Sequence, residues 1–277
     1  MRKAMLVVGM MSVLGGCEHG AAPDTPLKQE GVPTVSPLAS AVAEGARRAS
    51  ASRDPESANG LTKRMLGAKA FTVEDFGAAP EGDAEAVIRN LEAQARAGSG
   101  AASYAIHLKL FQCSNLLKPS GTSSSIEGSQ WEECKDLSPE RLVQEVDWLR
   151  LAASQGHLGA QIRFASDAEL VLGGISGMFK DPDAVKEYKR QAMEYLNAAA
   201  ERGSVDALSR IADAHLYGLK VERDPVASYA YYMAMQTVDP HSAVPLNMRY
   251  LQKELTANQL EDANKRSKEI YNECCRN

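Results

Sequence analysis

Three segments of this 277-residue chain repeat one pattern, and the repetition limits the possible folds more than any other feature. Residues 91–98 (LEAQARAG), 149–156 (LRLAASQG) and 196–203 (LNAAAERG) align without gaps, and an alanine follows each final glycine by four positions. The copies lie 58 and 47 residues apart, whereas a plain tetratricopeptide unit has about 34 residues. We therefore expect a repeat protein with insertions between its units.

Each copy has the pattern of a helix, a glycine stop and a second helix. In the third copy, apolar residues between positions 185 and 199 follow the 3.6-residue period of a helix. Gly203 can adopt the left-handed conformation that ends it. The small residue Ala207, like Ala102 and Ala160 in the other copies, allows two helix axes to approach closely. The pattern predicts an antiparallel helical hairpin.

Capping residues mark further helix starts. Ser138, Asp181 and Asp224 each precede a proline, the residue favoured at the first helical position. Thr256 and Gln259 have the spacing of a capping box. These signals predict hairpins near 82–113, 138–173, 182–217 and 224–255, followed by a final helix at 256–274.

The stretch 195–236 resembles the Sel-one-like repeat, a relative of the tetratricopeptide repeat. The resemblance rests on the copy ending at Gly203, on Asp206-Ala207, on the segment 215–218 (HLYG) and on the tyrosine run 228–232 (SYAYY). It implies an all-α fold, a right-handed solenoid of antiparallel helical hairpins, and a role as a protein-protein interaction scaffold. The segment 218–221 (GLKV) departs from the family because it lacks the second glycine of the short interhelix loop.

The N-terminus has the features of an export signal at 1–16. Arg2 and Lys3 precede an apolar stretch at 4–13, and the segment 14–17 (LGGC) resembles the bacterial lipobox. The resemblance implies cleavage before Cys17 and attachment of diacylglycerol to its sulfur; the alternative is an ordinary secretory signal in which Cys17 is incidental. Glu18 resembles the sorting pattern for the outer membrane. We expect a lipoprotein in the bacterial outer membrane that faces the periplasm.

The next segment has the composition of a tether. Between residues 18 and 60 there is no aromatic residue, and five prolines interrupt alanine, serine, glycine and charged residues. Such a stretch cannot bury enough apolar surface to offset the entropy of ordering it. We expect a lipidated cysteine and a disordered tether at 17–60, and an α-helical repeat domain at 61–277.

The charge balance argues against nucleic acid as a partner. The chain carries 31 Lys and Arg against 36 Asp and Glu, and cleavage before Cys17 removes two of the basic residues. Nucleic-acid binding depends on clustered basic side chains. We expect contact with a membrane through the lipid anchor only.

Four cysteines remain beyond Cys17, and they allow three pairings. We favour a disulfide between Cys113 and Cys134, because the two residues bracket the longest insertion. Cys274 and Cys275 are adjacent, so either they form a vicinal bridge or one of them attaches the last helix to the body of the protein.

The sequence gives no catalytic, metal or cofactor motif, so we expect a protein that is not an enzyme. It contains no Cys-x-x-Cys, no His-Glu-x-x-His, no Gly-x-Ser-x-Gly and no Gly-x-x-x-x-Gly-Lys. The alternative is an enzyme acting on cell wall or β-lactam, because cysteine-rich members of the Sel-one-like repeat family have been linked to penicillin binding. Those members carry a cysteine pair in every repeat, and the second and third repeats here have none.

A series of tyrosines is the remaining candidate for function. Tyrosines in such repeats either fill the space between hairpins or contact a partner from the concave face. If a binding groove exists, we expect Tyr229 and Tyr232 to line it, since they lie three residues apart on one helix. The expected partner is another envelope protein, such as a basic toxin that an acidic immunity protein would neutralise, and no small-molecule substrate is expected. The series comprises Tyr188, Tyr195, Tyr217, Tyr229, Tyr231, Tyr232 and Tyr250.

Overall fold

A computed structural model describes residues 60–117, 128–241 and 246–276. Cys17, the predicted export signal and the predicted tether up to residue 59 lie outside the described residues. The strands are β1 (Thr62–Met65) and β2 (Phe71–Asp75), and the helices are α1 (Ala84–Arg96), α2 (Gly100–Leu117), α3 (Gly128–Cys134), α4 (Pro139–Leu142), α5 (Glu145–Ser154), α6 (Leu158–Ser166), α7 (Ala168–Leu172), α8 (Gly174–Lys180), α9 (Pro182–Glu201), α10 (Val205–Tyr217), α11 (Pro225–Val238), α12 (Leu246–Glu254) and α13 (Ala257–Cys274).

The three sequence copies form three helix-turn-helix units, α1–α2, α5–α6 and α9–α10. Their glycine stops, Gly98, Gly156 and Gly203, have φ values of 108°, 86° and 101°. These values lie in the region that side chains disfavour and that glycine adopts without strain. The sequence prediction of a glycine-terminated first helix in each copy is therefore confirmed.

The predicted helix starts are confirmed by their capping hydrogen bonds. The Ser138 and Asp181 side chains accept hydrogen bonds from backbone N–H groups of α4 and α9, and Asp224 does the same for α11. Thr256 and Gln259 form the expected reciprocal capping box at the start of α13. Each such cap satisfies a donor that the first helical turn leaves unpaired, which stabilises a helix by about 1 kcal/mol.

Successive units pack on one another along the chain. Helix α2 packs against α1 and α5, α6 against α5 and α9, α10 against α9 and α11, and α11 against α13. Ala102, Ala160 and Ala207 are all buried at these contacts, with exposures of 5% or less. The described chain is a solenoid of antiparallel helical hairpins.

An antiparallel β-hairpin precedes the first helix and was not predicted. Strand β2 lies against the third hairpin: the Phe71 N–H donates to the Gly203 carbonyl over 2.9 Å, and the Val73 N–H donates to the Asp206 carboxylate over 2.7 Å. At the β-turn, Lys69 Nζ donates to the Glu273 carbonyl over 2.9 Å. The hairpin therefore connects the first described residues to the third unit and to the last helix.

A disulfide and a buried ion pair attach α3 to α2. Cys113 and Cys134 are bonded, with their Cα atoms 5.3 Å apart, which confirms the predicted pairing. Beside them, the fully buried ammonium group of Lys109 pairs with the Glu133 carboxylate. The two attachments fix the end of the insertion, and its residues 118–127 lie outside the described residues.

The last two cysteines form a vicinal bridge. Cys274 and Cys275 are bonded to each other, and both are buried in the central core. Of the two alternatives left open by the sequence, the structure shows the vicinal one. Among the helices that the structure describes, none combines the length and the apolar character needed to cross a bilayer.

Candidate partner-binding surfaces

The side chains of Tyr229 and Tyr232 are buried between helices. Their exposures are 7% and 2%, because α11 lies between α10 and α13 and both rings are enclosed there. The Tyr232 hydroxyl donates to Asp213 and accepts a hydrogen bond from Asn247 Nδ2 at 3.2 Å. This corrects the prediction that the two tyrosines line a binding groove: they fill the space between neighbouring helices.

Two other members of the tyrosine series are exposed at the same end of the array. Tyr217, at the end of α10, is 57% exposed, and Tyr250, on α12, is 70% exposed. Leu219 and Leu246 are also more than half exposed. Asn247 Nδ2 donates to the Tyr217 hydroxyl over 3.2 Å and so holds the start of α12 beside the end of α10. We call Tyr217, Leu219, Leu246 and Tyr250 the terminal apolar surface.

Basic side chains flank the terminal apolar surface. Lys220 follows Leu219, and Arg249 precedes Tyr250. Burial lowers the pKa of Lys220; the charges of Arg210 and Lys189 act in the same direction, and the charge of Asp213 opposes them.

A cavity lies between the second and third hairpins. Its volume is about 190 Å³, whereas a single water requires about 10–15 Å³ on the same measure. Its lining residues come from four helices: Asp147 and Arg150 from α5, Phe164 from α6, Val171 and Leu172 from α7, and Ala184, Glu187, Tyr188, Gln191 and Tyr195 from α9. We call it the inter-hairpin cavity.

Aromatic rings form one wall of the inter-hairpin cavity. The Phe164 ring is 5.4 Å from that of Tyr188 and meets the Tyr195 ring edge to face at 5.2 Å. The Tyr188 hydroxyl donates to the Ala165 carbonyl over 3.1 Å. This hydrogen bond fixes the Tyr188 ring, so the wall is rigid. The tyrosine pattern alone did not indicate a cavity here.

Two of the described histidines are buried, and one of them caps a helix. His107 and His157 are buried, and Nδ1 of His157 caps α6 by accepting from the Ala160 N–H over 3.3 Å. No cluster of three His, Cys, Asp or Glu side chains suited to a metal ion occurs within residues 60–117, 128–241 and 246–276.

Buried His107 is expected to make stability depend on pH. Burial, and then the charge of Arg163, lower its pKa from 6.5 to about 3, so the folded state keeps the ring neutral where the unfolded state protonates it. The contribution of neutral His107 to the free energy of unfolding is fully present above pH 6.5. It falls by about 1.4 kcal/mol per pH unit as the pH decreases towards 3. Between pH 7 and pH 5, His107→Gln should lose about 2 kcal/mol less unfolding free energy than the wild type in urea titrations. Equal losses in the variant and the wild type would show that His107 does not cause this pH dependence.

A solved structure resembles part of this chain. No protein-family model and no curated protein matches the chain. Among solved structures, the chain is similar to a protective antigen present in uropathogenic Escherichia coli strains, whose crystal structure displays an SLR fold. The two sequences are 22% identical, the alignment covers 68% of this chain and 41% of that one, and the TM-score is 0.40. The matched part is thus about two fifths of that protein. The fold described above rests on this chain's own helices and contacts.

Proposed function

We propose that this chain is a lipid-anchored envelope protein without enzymatic activity that binds another protein through the terminal apolar surface. The observation that carries the proposal is the exposure of four large apolar side chains at one end of a solenoid. Contiguous exposed apolar patches on soluble domains mark interaction sites, and tyrosine is among the residues that dominate binding energy. Tyr217 and Tyr250 are therefore the expected main contacts.

The charge around the surface defines the partner further. Lys220 and Arg249 adjoin Leu219 and Tyr250 in the chain, so the proposed partner presents an apolar patch bordered by acidic groups, which differs from the basic toxin expected from the net charge. Charge complementarity of this kind raises the association rate and discriminates against wrong partners. A specific form of the proposal is an immunity protein that neutralises an envelope-acting toxin, with such a patch on the toxin.

The proposed location is the periplasmic face of the outer membrane. It rests on the lipobox-like segment ending at Cys17 and on Glu18, both known from the sequence. The Cys113–Cys134 disulfide supports an oxidising compartment, since such bonds persist in the periplasm and are rare in the cytosol.

Globomycin treatment of the native host should accumulate the uncleaved form, and Cys17→Ala should abolish labelling by a clickable palmitate analogue.

The binding proposal predicts loss of a partner on removal of two exposed rings. The full-length chain carrying Tyr217→Ala and Tyr250→Ala should bind its partner at least about tenfold more weakly in affinity capture from the native envelope. The reason is that each hot-spot truncation costs about 1–2 kcal/mol of binding free energy. The measurement is quantitative mass spectrometry of the captured proteins.

The matched control removes equally exposed apolar groups elsewhere. Val143 and Phe179 are 77% and 83% exposed and lie outside the terminal apolar surface. The Val143→Ala, Phe179→Ala variant should capture the partner as well as the wild type. Equal loss in both variants would show that apolar exposure in general, and not this surface, governs retention.

A further inference from the structure

The vicinal bridge differs from the other disulfide in the separation of the residues that it joins. The Cα atoms of Cys274 and Cys275 are 3.7 Å apart, as the covalent geometry of consecutive residues requires. Relaxed disulfides join Cα atoms about 4.4–6.8 Å apart, and departures from this range make the bond easier to reduce. Cys113 and Cys134, at 5.3 Å, lie within the range. Adjacency in the sequence fixes the shorter separation, so movement of the helices cannot lengthen it.

Each cysteine of the vicinal bridge lines a cavity of its own. The Cys275 cavity has a volume of about 300 Å³ and is bounded by the β-turn and the ends of α11 and α13. The Cys274 cavity has a volume of about 250 Å³ and is bounded by α9, α10, α11 and α13. Cys113 and Cys134, in contrast, are completely enclosed, with exposures of 0%. The two cavities therefore bring a small thiol, or a protruding cysteine of another protein, to the vicinal bridge.

The charges that line the two cavities favour one direction of approach. Arg276 is the one charged side chain among the described residues that line the Cys275 cavity. Glu201 and Glu273 line the Cys274 cavity. The nucleophile in thiol–disulfide exchange is a thiolate anion, which Arg276 attracts and the two carboxylates repel. The lining thus directs attack to the sulfur of Cys275.

We propose that the Cys274–Cys275 bridge is a redox-active site that exchanges with a dithiol, whereas the Cys113–Cys134 bond is structural. A thiolate of the dithiol attacks Sγ of Cys275, the bond between the two sulfurs breaks, and Cys274 leaves as a thiolate that takes up a proton. The second thiol of the dithiol then attacks the mixed disulfide and releases Cys275. The protein gains two electrons and two protons, and the dithiol becomes a disulfide. This site shares no residue with the terminal apolar surface, so it goes beyond the proposed partner binding.

The two bridges can be followed separately in the full-length protein because each lies within one tryptic peptide. Residues 269–276 (EIYNECCR) contain the vicinal pair. Residues 110–135 contain Cys113 and Cys134, since trypsin does not cleave before Pro119. The protein is equilibrated in buffers with graded ratios of reduced to oxidised dithiothreitol, free thiols are blocked with iodoacetamide, and the peptides are quantified by mass spectrometry. We expect the peptide 269–276 to be half-reduced at a ratio at least about tenfold lower than the peptide 110–135.

A matched pair of variants tests the direction of attack. Arg276→Gln should slow reduction by dithiothreitol at least about twofold at about 0.01 M salt, because the thiolate is no longer attracted. The difference should disappear at about 1 M salt, where the screening length is only about 3 Å. Glu201→Gln, which removes a charge from the other cavity, should not slow the reaction. In the Arg276→Gln protein the measured peptide extends to Asn277.

The source of the dithiol is identified by a second reductant. Thioredoxin carries its two thiols on a protein, whereas dithiothreitol is a small molecule. Both are supplied to the wild-type protein at the same thiol concentration. Faster reduction of the peptide 269–276 by thioredoxin identifies a protein dithiol, and faster reduction by dithiothreitol identifies a small one.

Two results would overturn the proposal. If the two peptides are half-reduced at the same ratio, or if the peptide 110–135 is reduced first, the vicinal bridge is not the redox-active one. If Arg276→Gln does not slow reduction at low salt, attack does not occur at Cys275 from its cavity. The first comparison uses the wild-type protein, so it does not depend on the folding of a variant. Both results leave the binding proposal for the terminal apolar surface intact.

Discussion

Gly203→Ala is expected to lower the free energy of unfolding by about 2–6 kcal/mol. Gly203 has a φ of +101°, where a Cβ atom is strained, and a Cβ built there lies 2.4 Å from the Lys69 carbonyl oxygen. The strain and the steric overlap each cost about 1–3 kcal/mol. The atom in the way is backbone, so relief requires β2 to move away and weakens the hydrogen bond from the Phe71 N–H to the Gly203 carbonyl. Urea denaturation followed by circular dichroism measures the loss.

Gly98→Ala is the matched control. Gly98 is the equivalent glycine of the first copy and has a φ of +108°, but a Cβ atom there has nothing within 4 Å. The variant therefore experiences backbone strain alone and should lose about 1–3 kcal/mol. If the two variants lose the same free energy, contact between the β-hairpin and the third unit does not contribute to stability.

Removal of the Cys113–Cys134 bond is expected to cost about 3 kcal/mol. The two residues are separated by 21 positions, and a crosslink that closes a loop of this size reduces the entropy of the unfolded chain by about that amount. Alanine is the suitable replacement, because both cysteines are fully buried. The double variant Cys113→Ala, Cys134→Ala should show the loss in urea denaturation under non-reducing conditions.

The vicinal bridge provides the internal comparison. Cys274 and Cys275 are adjacent, so the loop that their bond closes contains almost no residues. The same entropy argument gives only about 1 kcal/mol for Cys274→Ala, Cys275→Ala. A larger loss for this pair than for Cys113 and Cys134 would show that packing at the last helix, and not loop closure, determines the contribution of the bridges.

Local signals in the sequence identified most of the helical architecture. The glycine stops, the caps at Asp181 and Asp224 and the capping box at Thr256 depend on residues within one or two turns. Such features are therefore readable without a structure. The pairing of Cys113 with Cys134 was also predictable, because the alternatives were few and the insertion between them is long.

The features that depend on distant contacts were missed. Strand β2 has the alternating burial of a strand, with Phe71 and Val73 buried, but the contacts that bury it, with Gly203 and Asp206, lie more than 130 residues away along the chain. The prediction that Tyr229 and Tyr232 line a groove was wrong, because the position of α13 against α11 decides which face of α11 is enclosed. The inter-hairpin cavity combines residues from four helices, and no single segment of sequence indicates it.

The attachment of the β-hairpin determines where a mechanical load would act. In a plain repeat array each unit contacts only its neighbours, so a pull on the N-terminal end peels away the first unit. Here the chain entering at Leu61 is bound to the Gly203 turn and to the end of α13. Tension applied to the chain ahead of Leu61 is therefore transmitted to the third unit and to the last helix. The first hairpin is shielded from it, and detachment requires the strand contacts to break together.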